Sequence, residues 1–278
     1  MSQRTTGGLV SEIAAEPVSP RAEPKALARQ DTVLAVAMLL PAILFIVLLI
    51  GFPVLLAIYY SFTNVTTGGS QVNFVGLQNF VALFGDLDFR KSLVNTFVFT
   101  LGTLVIVLVL ATIQAELLMR DFVGKWVVRF LILLPWTAPA ALGVIGWLWM
   151  LDSVFSPIDW LLRQIGLLGA PGAPFGPLPN LYWLGSPVLA DVSVIMVNVW
   201  RILPLATVIT LAGLNAIPRD IYEQARIDRA GYFRRLFGIT IPMLAPILLV
   251  AILFTFVFVF SDMVVIFILT RGGPANST

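Results

Sequence analysis

The sequence predicts an all-α polytopic membrane protein, and two observations carry that prediction. Of the 278 residues, 59% are hydrophobic and only 12% are charged, whereas soluble globular domains average about 25% charged residues. Uncharged apolar stretches also recur along the chain, and each reaches the ~20 residues that a helix needs to cross a bilayer. The chain has no histidine and no cysteine, which excludes disulfides, thiol chemistry and His-based metal sites. We therefore predict no catalytic, metal or cofactor site.

Residues 1–31 are polar, rich in Pro, Ala, Glu and Arg, and without apolar periodicity, so they predict a disordered cytosolic tail. Residues 32–278 are expected to form one transmembrane domain. Within it we predict five helical spans: residues 33–62, 92–119, 126–150, 188–216 and 243–270. Several spans contain proline, which frees a carbonyl that a neighbouring helix or a wet cavity must satisfy. Each proline therefore marks either a packing kink or a functional break.

Basic residues predict the orientation of the spans. Twelve of the seventeen Lys and Arg residues lie in the tail, in the connection 120–129 and in the long loop 218–242, while four lie in the opposite connections. Because Lys and Arg accumulate on the cytosolic side, the N-terminus and the long loop are predicted to be cytosolic. On the outer side, segments 63–91 and 151–187 each contain an amphipathic stretch that we expect to be helical. Four tryptophans are interpreted as interfacial belts: Trp147, Trp149, Trp183 and Trp200.

Two charges fall deep inside predicted spans, Arg201 in the fourth and Asp262 in the fifth, whereas Glu116 and Asp191 lie close enough to helix ends to reach the interface. A charge at this depth is costly unless it is paired or hydrated, so both are functional candidates. The alternatives are a structural ion pair, formed with one another or elsewhere, or snorkelling toward the outer surface.

The stretch GDLDFRKS at residues 85–92 has a superficial likeness to a phosphate-binding loop. Arg90 stands where such a loop needs glycine before Lys91, and no strand leads into it. If ATP drives this protein, another chain must hydrolyse it.

The long loop reads PRDIYEQARIDRAGYFRRLFGITIP and predicts two short amphipathic helices joined at Gly231. Each helix would carry an apolar triplet at i, i+3/i+4 spacing opposite its charges. The triplets are Ile221, Tyr222 and Ala225, then Phe233, Leu236 and Phe237. Such helices can lie on the membrane face and insert into a groove on a partner. The alternative is a surface helix that only rests on lipid headgroups.

The loop resembles the EAA motif of inner-membrane permease subunits of binding-protein-dependent ABC importers, E-A-A, three residues, G, nine residues, I-x-L-P. Glu223, Ala225, Ile239 and Pro242 match it, with Ile241 for Leu.

Two positions depart from the motif, Gln224 for Ala and Arg229 for the Gly. We expect Gly231 to supply the bend in place of Arg229. The stretches LNAIPRDIYEQARID, FVGLQNF, SLVNT, YWLGSPVLA and SDMVVIFILTRGGP are similar in order to the carbohydrate-uptake branch, the maltose and glycerol-phosphate type. The resemblance covers most of residues 33–274.

The resemblance implies a type I ABC importer permease helical bundle for a sugar, polyol or related small solute. A second permease would complete the path, two cytosolic ATPase subunits would bind the ATP and Mg²⁺, and an extracytoplasmic substrate-binding protein would deliver the solute. Membrane lipid would surround the bundle, and no nucleic acid is expected. The family's sixth span would be missing from this chain.

The resemblance also implies two sets of site residues. ATPase coupling would fall on Tyr222, Glu223, Ala225, Asp228, Arg229, Gly231, Phe233 and Pro242. The substrate path would fall on Arg201, Ile202, Leu205, Thr255, Phe258, Val259 and Asp262.

Two other classes of protein remain as alternatives. An ion-coupled secondary transporter would need intramembrane carboxylates and two repeated halves, but only Asp262 qualifies and no internal repeat is visible. An intramembrane protease without His or Cys would need a Ser/Lys dyad, and no Lys lies within a predicted span.

Overall fold

The computed structural model describes residues 25–66, 69, 72–274 and 278. Twelve α-helices occur among them: α1 Lys25–Ile46, α2 Phe52–Ser61, α3 Gln78–Gly85, α4 Leu87–Met119, α5 Lys125–Thr137, α6 Ala140–Met150, α7 Pro157–Gln164, α8 Pro187–Ala216, α9 Arg219–Ile227, α10 Tyr232–Arg235, α11 Ile241–Phe260 and α12 Val264–Leu269. The only β pairing in these ranges is an isolated bridge between Thr63 and Phe74. The predicted all-α fold is confirmed.

The number of apolar spans, four or five, agrees with the five spans that the sequence predicts. Within the described ranges, four helical runs are long and apolar enough to cross a membrane: Leu34–Ser61, Leu87–Met119, Pro187–Ala216 and Tyr232–Phe260. The bent pair α5–α6 makes a fifth if it counts as one span. The predicted tail lies largely outside the described residues, and α1 begins at Lys25, before the predicted span. Its first residues, KALARQ, are strong helix formers, which explains the early start.

The chain divides into two compact units, one ending at Val81 and one beginning at Ala82. In the first unit, α1 and α2 run on through a π-helical turn, Val47–Gly51, and their described side chains are largely exposed. The Asn79 side chain donates hydrogen bonds to the carbonyl oxygens of Ser61 (2.9 Å) and Thr63 (2.8 Å). These bonds tie the start of the amphipathic helix α3 back to the end of α2.

The second unit is built around α4, α8 and α11. Val107 and Ala111 of α4 lie in one buried apolar cluster with Ile202 and Ala206 of α8 and Val259 of α11. The named positions are four residues apart on α4 and on α8, so each of these two helices presents one buried face to the cluster.

Gly213 sets the separation of α8 and α11 near the other end of the helices. A methyl group there would lie 2.8 Å from Leu244 Cδ2 and 3.0 Å from Ile247. The two helices approach this closely because residue 213 has no side chain.

The third predicted span is broken, with a bend of 100° between α5 and α6. Pro139 lacks an N–H, and in a continuous helix its ring would clash with the carbonyl four residues back, at Pro135. The residue before it, Ala138, is extended (φ −72°, ψ 142°), as a position preceding proline usually is. Pro41, Pro204 and Pro246 lie inside unbroken helices instead.

The fifth predicted span, residues 243–270, is wrong at both ends. It begins earlier, at Tyr232, because α10, a π-helical turn (Leu236–Thr240) and α11 form one continuous helix. It also ends earlier, at Phe260, and Ser261–Met263 separate it from α12. The Ser261 hydroxyl donates to the Val257 carbonyl at 2.6 Å and closes the last turn of α11.

Both π-helical turns end two residues before a proline, at Pro53 and at Pro242. In each case the carbonyl four residues before the proline lies inside the turn and cannot form the usual α-helical bond. The wider turn lets the helix continue through that position.

The segment between α6 and α8 folds around Asp159, which is fully buried at the first turn of α7. Its carboxylate accepts hydrogen bonds from the Trp183 indole N–H (2.9 Å) and the Leu181 backbone N–H (3.0 Å). Trp183 is therefore a buried structural residue, and its interpretation as part of an interfacial belt is wrong. In the preceding turn, backbone N–H groups of Phe155 and Val154 bind the Asp152 carboxylate and lower its pKa.

Candidate functional site

The two helix breaks of the second unit meet at one cavity of about 330 Å³. The α5–α6 break forms one side, the α11–α12 break another, and α8 a third. The lining residues are Pro135, Trp136, Ala138, Ala140, Arg201, Ile202, Phe258, Ser261 and Asp262. Discontinuous helices at membrane depth are tolerated where the freed backbone groups border such a cavity.

Arg201 and Asp262 form a two-bond ion pair on the cavity wall. Arg201 Nη2 lies 3.0 Å from Asp262 Oδ2, and Nη1 lies 3.2 Å from Oδ1. The two side chains are only 12% and 9% exposed. Of the alternatives open from the sequence, the structure forms the mutual pair. Pairing lowers the cost of keeping both charges in an apolar bundle.

Asp262 also organises the start of α12. Its oxygens accept hydrogen bonds from the backbone N–H groups of Val264 and Val265, each at 3.3 Å. The same carboxylate therefore holds α8 through Arg201 and satisfies first-turn amides of α12.

Arg201 and Phe258 give the cavity wall a cationic group and an aromatic surface. The Nε atom of Arg201 is buried and has no hydrogen-bond partner among the described residues. Phe258 packs edge-on against Trp136, with ring centroids 5.5 Å apart and planes at 83°. The ion pair uses two of the five N–H groups of the guanidinium.

The predicted substrate-path residues only partly converge on this cavity. Arg201, Ile202, Phe258 and Asp262 line it. Leu205, Thr255 and Val259 do not; Leu205 is half-buried, and Thr255 and Val259 are buried. Val259 belongs to the cluster between α4, α8 and α11, so it faces the helix bundle. Trp136 was missed, although two prolines four residues apart could have indicated a break beside it.

The long loop begins with α9, which lies against the ends of α4, α8 and α11. Ala225 is buried, and Ile221 and Tyr222 pack on a cluster of Ala115, Leu214, Ile217 and Leu244. The Tyr222 hydroxyl lies 3.2 Å from Thr240 Oγ1. The apolar triplet predicted for α9 thus faces the chain's own bundle, not outward.

The opposite side of α9 and the start of α10 are exposed. Glu223 and Asp228 point away from the bundle, and Ile227 and Phe233 are 80% and 71% exposed. These four residues define the outer loop surface. Pro242 is also exposed, but it lies beyond the π-helical turn at the start of α11.

The bend after α9 lies at Arg229, and the expectation that Gly231 supplies it is wrong. Arg229 has φ +52°, whereas Gly231 is extended (φ −64°, ψ 167°). Ala230 N–H bonds Ala225 O at 2.9 Å and Arg229 N–H bonds Arg226 O at 3.0 Å, the pair of bonds of a Schellman cap. This cap requires a left-handed residue at position 229, where the motif has glycine.

The second amphipathic helix predicted in the loop is not a separate element. Its residues Phe233, Leu236 and Phe237 belong to the continuous helix Tyr232–Phe260. The Tyr232 hydroxyl donates to Glu116 Oε2 at 2.5 Å and anchors the beginning of this helix to α4. The loop therefore connects directly to the span that ends at the cavity.

Comparisons with known proteins agree with this geometry. A family described as the inner membrane component of binding-protein-dependent transport systems matches residues 107–278. A sulfoquinovosyl glycerol transport permease of Agrobacterium fabrum is 31% identical, over 89% of this chain and 77% of the relative. A trehalose/maltose transport permease of Thermococcus litoralis is 30% identical, over 90% and 81%.

Solved structures share the fold. A chain of a bacterial ABC transporter that imports the acidic polysaccharide alginate superposes with a TM-score of 0.71 at 19% identity, covering 92% of this chain and 82% of that one. Both broken helices, the loop motif and the matched segment lie in the same unit of the chain. This protein therefore belongs to the family of inner membrane components of binding-protein-dependent transport systems, as a multi-pass permease.

Proposed function

We propose that this permease moves a sugar, polyol or related small solute through an importer driven by ATP. The observation that carries the proposal is the placement of α9. Its apolar face is fixed on the ends of α4, α8 and α11, while Glu223 and its exposed neighbours face outward. A helix held in this way can pass a partner's movement into the bundle.

The route from the loop to the cavity is a single helix. The run Tyr232–Phe260 has 29 residues, which corresponds to about 43 Å at the rise of an α-helix. One end contacts α4 through Tyr232 and Glu116, and the other ends beside Asp262. Displacement of the loop would therefore shift the α11–α12 break, and the bundle would change between two packings.

The partners follow from this assignment. Two cytosolic ATPase subunits would bind the ATP and Mg²⁺, contact the outer loop surface and carry out the only catalysis in the system. A second permease would complete the path, and an external binding protein would deliver the solute. One solved relative is a bacterial alginate transporter in complex with a periplasmic protein that holds an alginate pentasaccharide.

The basic end of the bundle is proposed to be cytosolic. The end of α4, the following connection and the loop after α8 lie together, as the Tyr232–Glu116 contact and a shared cavity with Arg120 and Arg226 indicate. Of the three segments that hold most of the basic residues, the connection 120–129 and the loop 218–242 thus lie at the same end of the bundle, as expected when Lys and Arg accumulate on the cytosolic side.

The charge balance of the cavity favours an uncharged, hydroxylated solute. Asp262 neutralises Arg201, so the pair adds no net charge to the wall. A guanidinium N–H of Arg201 that Asp262 does not use would donate to a solute oxygen, and the Trp136–Phe258 pair would offer an apolar surface to a sugar ring.

The test is the complete importer in liposomes, with binding-protein-dependent ATP hydrolysis measured for neutral sugars, polyols and their phosphate esters. We expect stimulation by at least one neutral compound and loss of solute-dependent stimulation in the charge-balanced double variant Arg201→Gln/Asp262→Asn. Transport by the permease alone in a proton or sodium gradient would contradict the proposal and favour a secondary transporter.

A further inference from the structure

We propose that a second cavity, at the loop end of the bundle, binds a phosphate group. This cavity of about 260 Å³ lies between the end of α4, α9 and the beginning of α10. Three arginines from these three elements line it: Arg120, Arg226 and Arg235. We call it the arginine pocket.

The arginine pocket has an uncompensated positive charge. Among the described residues, none of the three guanidinium groups forms an ion pair. The one carboxylate in the lining, Glu116, accepts the hydroxyl of Tyr232 at 2.5 Å. Three cations against one carboxylate leave a net charge of about +2, which favours an anion.

The geometry favours a phosphate over a carboxylate. The three arginines belong to three different segments around the cavity: the residue that follows α4, α9 and α10. A phosphate presents oxygens in several directions and can accept from all three, often in bidentate pairs. The hydroxyls of Tyr222 and Thr240 also border the pocket; one donates to the other at 3.2 Å, which leaves one hydroxyl proton of the two as a further donor.

A phosphate of this kind could come from a lipid headgroup or from a soluble phosphate compound. The headgroup has support beside the pocket. Phe237 lies outside the outer loop surface and is 64% exposed at the beginning of the Tyr232–Phe260 span. An exposed apolar ring at such a place can rest at the boundary between lipid headgroups and acyl chains.

A ligand in the arginine pocket would affect the long loop, residues 218–242. A ligand held by Arg120, Arg226 and Arg235 would join α4 to α9 and α10 without touching the transport cavity. The proposal therefore goes beyond solute transport, and it stands even if the transported solute is not a sugar.

The experiment compares two matched double variants of the complete importer. Arg226→Gln/Arg235→Gln removes two charges from the pocket, one on α9 and one on α10. Arg219→Gln/Arg234→Gln removes two charges from the same helices outside it. In one arm, inorganic phosphate is titrated against the complex in phosphatidylcholine nanodiscs, and the unfolding midpoint is recorded. In the other, native mass spectrometry counts the phosphatidylglycerol retained from mixed nanodiscs.

We expect wild type and the Arg219/Arg234 control to bind alike, and the pocket variant to bind about tenfold more weakly or worse, since it loses charge-assisted hydrogen bonds. Retention of phosphatidylglycerol without a response to phosphate identifies the lipid headgroup as the source, and a phosphate response identifies a soluble ligand. Arg226→Lys/Arg235→Lys, which keeps charge but loses bidentate geometry, should fall between wild type and the pocket variant.

Two results would overturn the proposal. Wild type could bind neither ligand, or both Gln variants could lose binding equally, which would indicate general surface charge. In the first case, loss of the ATPase subunits from the pocket variant would show that a partner's side chain fills the pocket.

Discussion

The cavity and the long loop, residues 218–242, differ in how their charged residues are placed. At the cavity, Arg201 and Asp262 are nearly buried and bonded to each other. At the loop, Glu223 and Asp228 are exposed. Arg229 adopts a left-handed backbone conformation, which glycine would adopt without steric cost. The charges at the cavity thus hold helices together, whereas the exposed charges of the loop are available to contact another surface.

This difference predicts where substitutions affect the fold and where they affect only association. Changing one partner of a buried pair leaves an uncompensated charge, whereas changing an exposed residue leaves the bundle intact. Four predictions test the contrast, in decreasing order of expected effect.

Asp262→Asn should have the largest effect. It removes the negative charge that compensates Arg201, and breaking a buried pair costs about 3–5 kcal/mol. We expect a lower unfolding midpoint of the solubilised protein, measured by fluorescence during heating. The double variant Arg201→Gln/Asp262→Asn should recover a large part of the loss. Equal destabilisation by the single and double variants would show that the pair is not the cause.

Gly213→Ala tests the helix contact that connects the two regions. The new methyl group would clash with Leu244 and Ile247 of α11, and overpacking of this kind costs about 1–3 kcal/mol. The matched control is Gly146→Ala in α6, where a methyl group meets no atom within 4 Å. If both variants unfold at the same temperature, α8 and α11 can separate without cost.

Glu223→Lys should weaken association with the ATPase by about tenfold, because a charge-assisted contact would be lost. The stability of the permease should change by no more than about 0.5 kcal/mol, since Glu223 is exposed. Co-purification of the ATPase measures the effect, with Asp121→Lys as the control for an equal charge change at an exposed position. Undiminished co-purification of the Glu223 variant would remove this residue from the interface.

Arg229→Gly should have the smallest effect and the opposite sign. Glycine adopts positive φ without steric cost, so stability should rise by up to about 1 kcal/mol. Gly231→Ala should be neutral or slightly stabilising, because Gly231 has φ −64° and open space around it. Thermal unfolding of both variants tests which residue forms the bend. Destabilisation by Gly231→Ala would show that the bend lies at residue 231.

Composition and apolar length were enough to predict the all-α fold and the approximate positions of the spans. They could not predict where a helix breaks, because proline has context-dependent effects. Pro139 ends α5, while Pro204 and Pro246 lie within continuous helices. The break at Ser261–Met263 contains no proline at all and depends on bonds made by Ser261 and Asp262.

The buried charges of the candidate site and the position of α9 could be predicted from residue types and their spacing. Two charges inside apolar spans indicated Arg201 and Asp262, and amphipathic spacing indicated α9. Which way α9 faces was not predictable, because the same apolar triplet could cover a partner or the chain's own helices. The backbone at Arg229 was missed because its left-handed φ is imposed by the Schellman bonds to Ala225 and Arg226, not by the residue's own preference.

The carboxylate of Asp262 has a further consequence for recognition. A carboxylate offers about four lone-pair positions, and here two receive the guanidinium and two receive the amides of Val264 and Val265. No acceptor capacity is left on Asp262 for a solute, while the guanidinium of Arg201 keeps N–H groups that the pair does not use. A solute that contacts this closed pair would therefore have to offer oxygen lone pairs, which an ether provides as well as an alcohol does and a methylene does not provide at all.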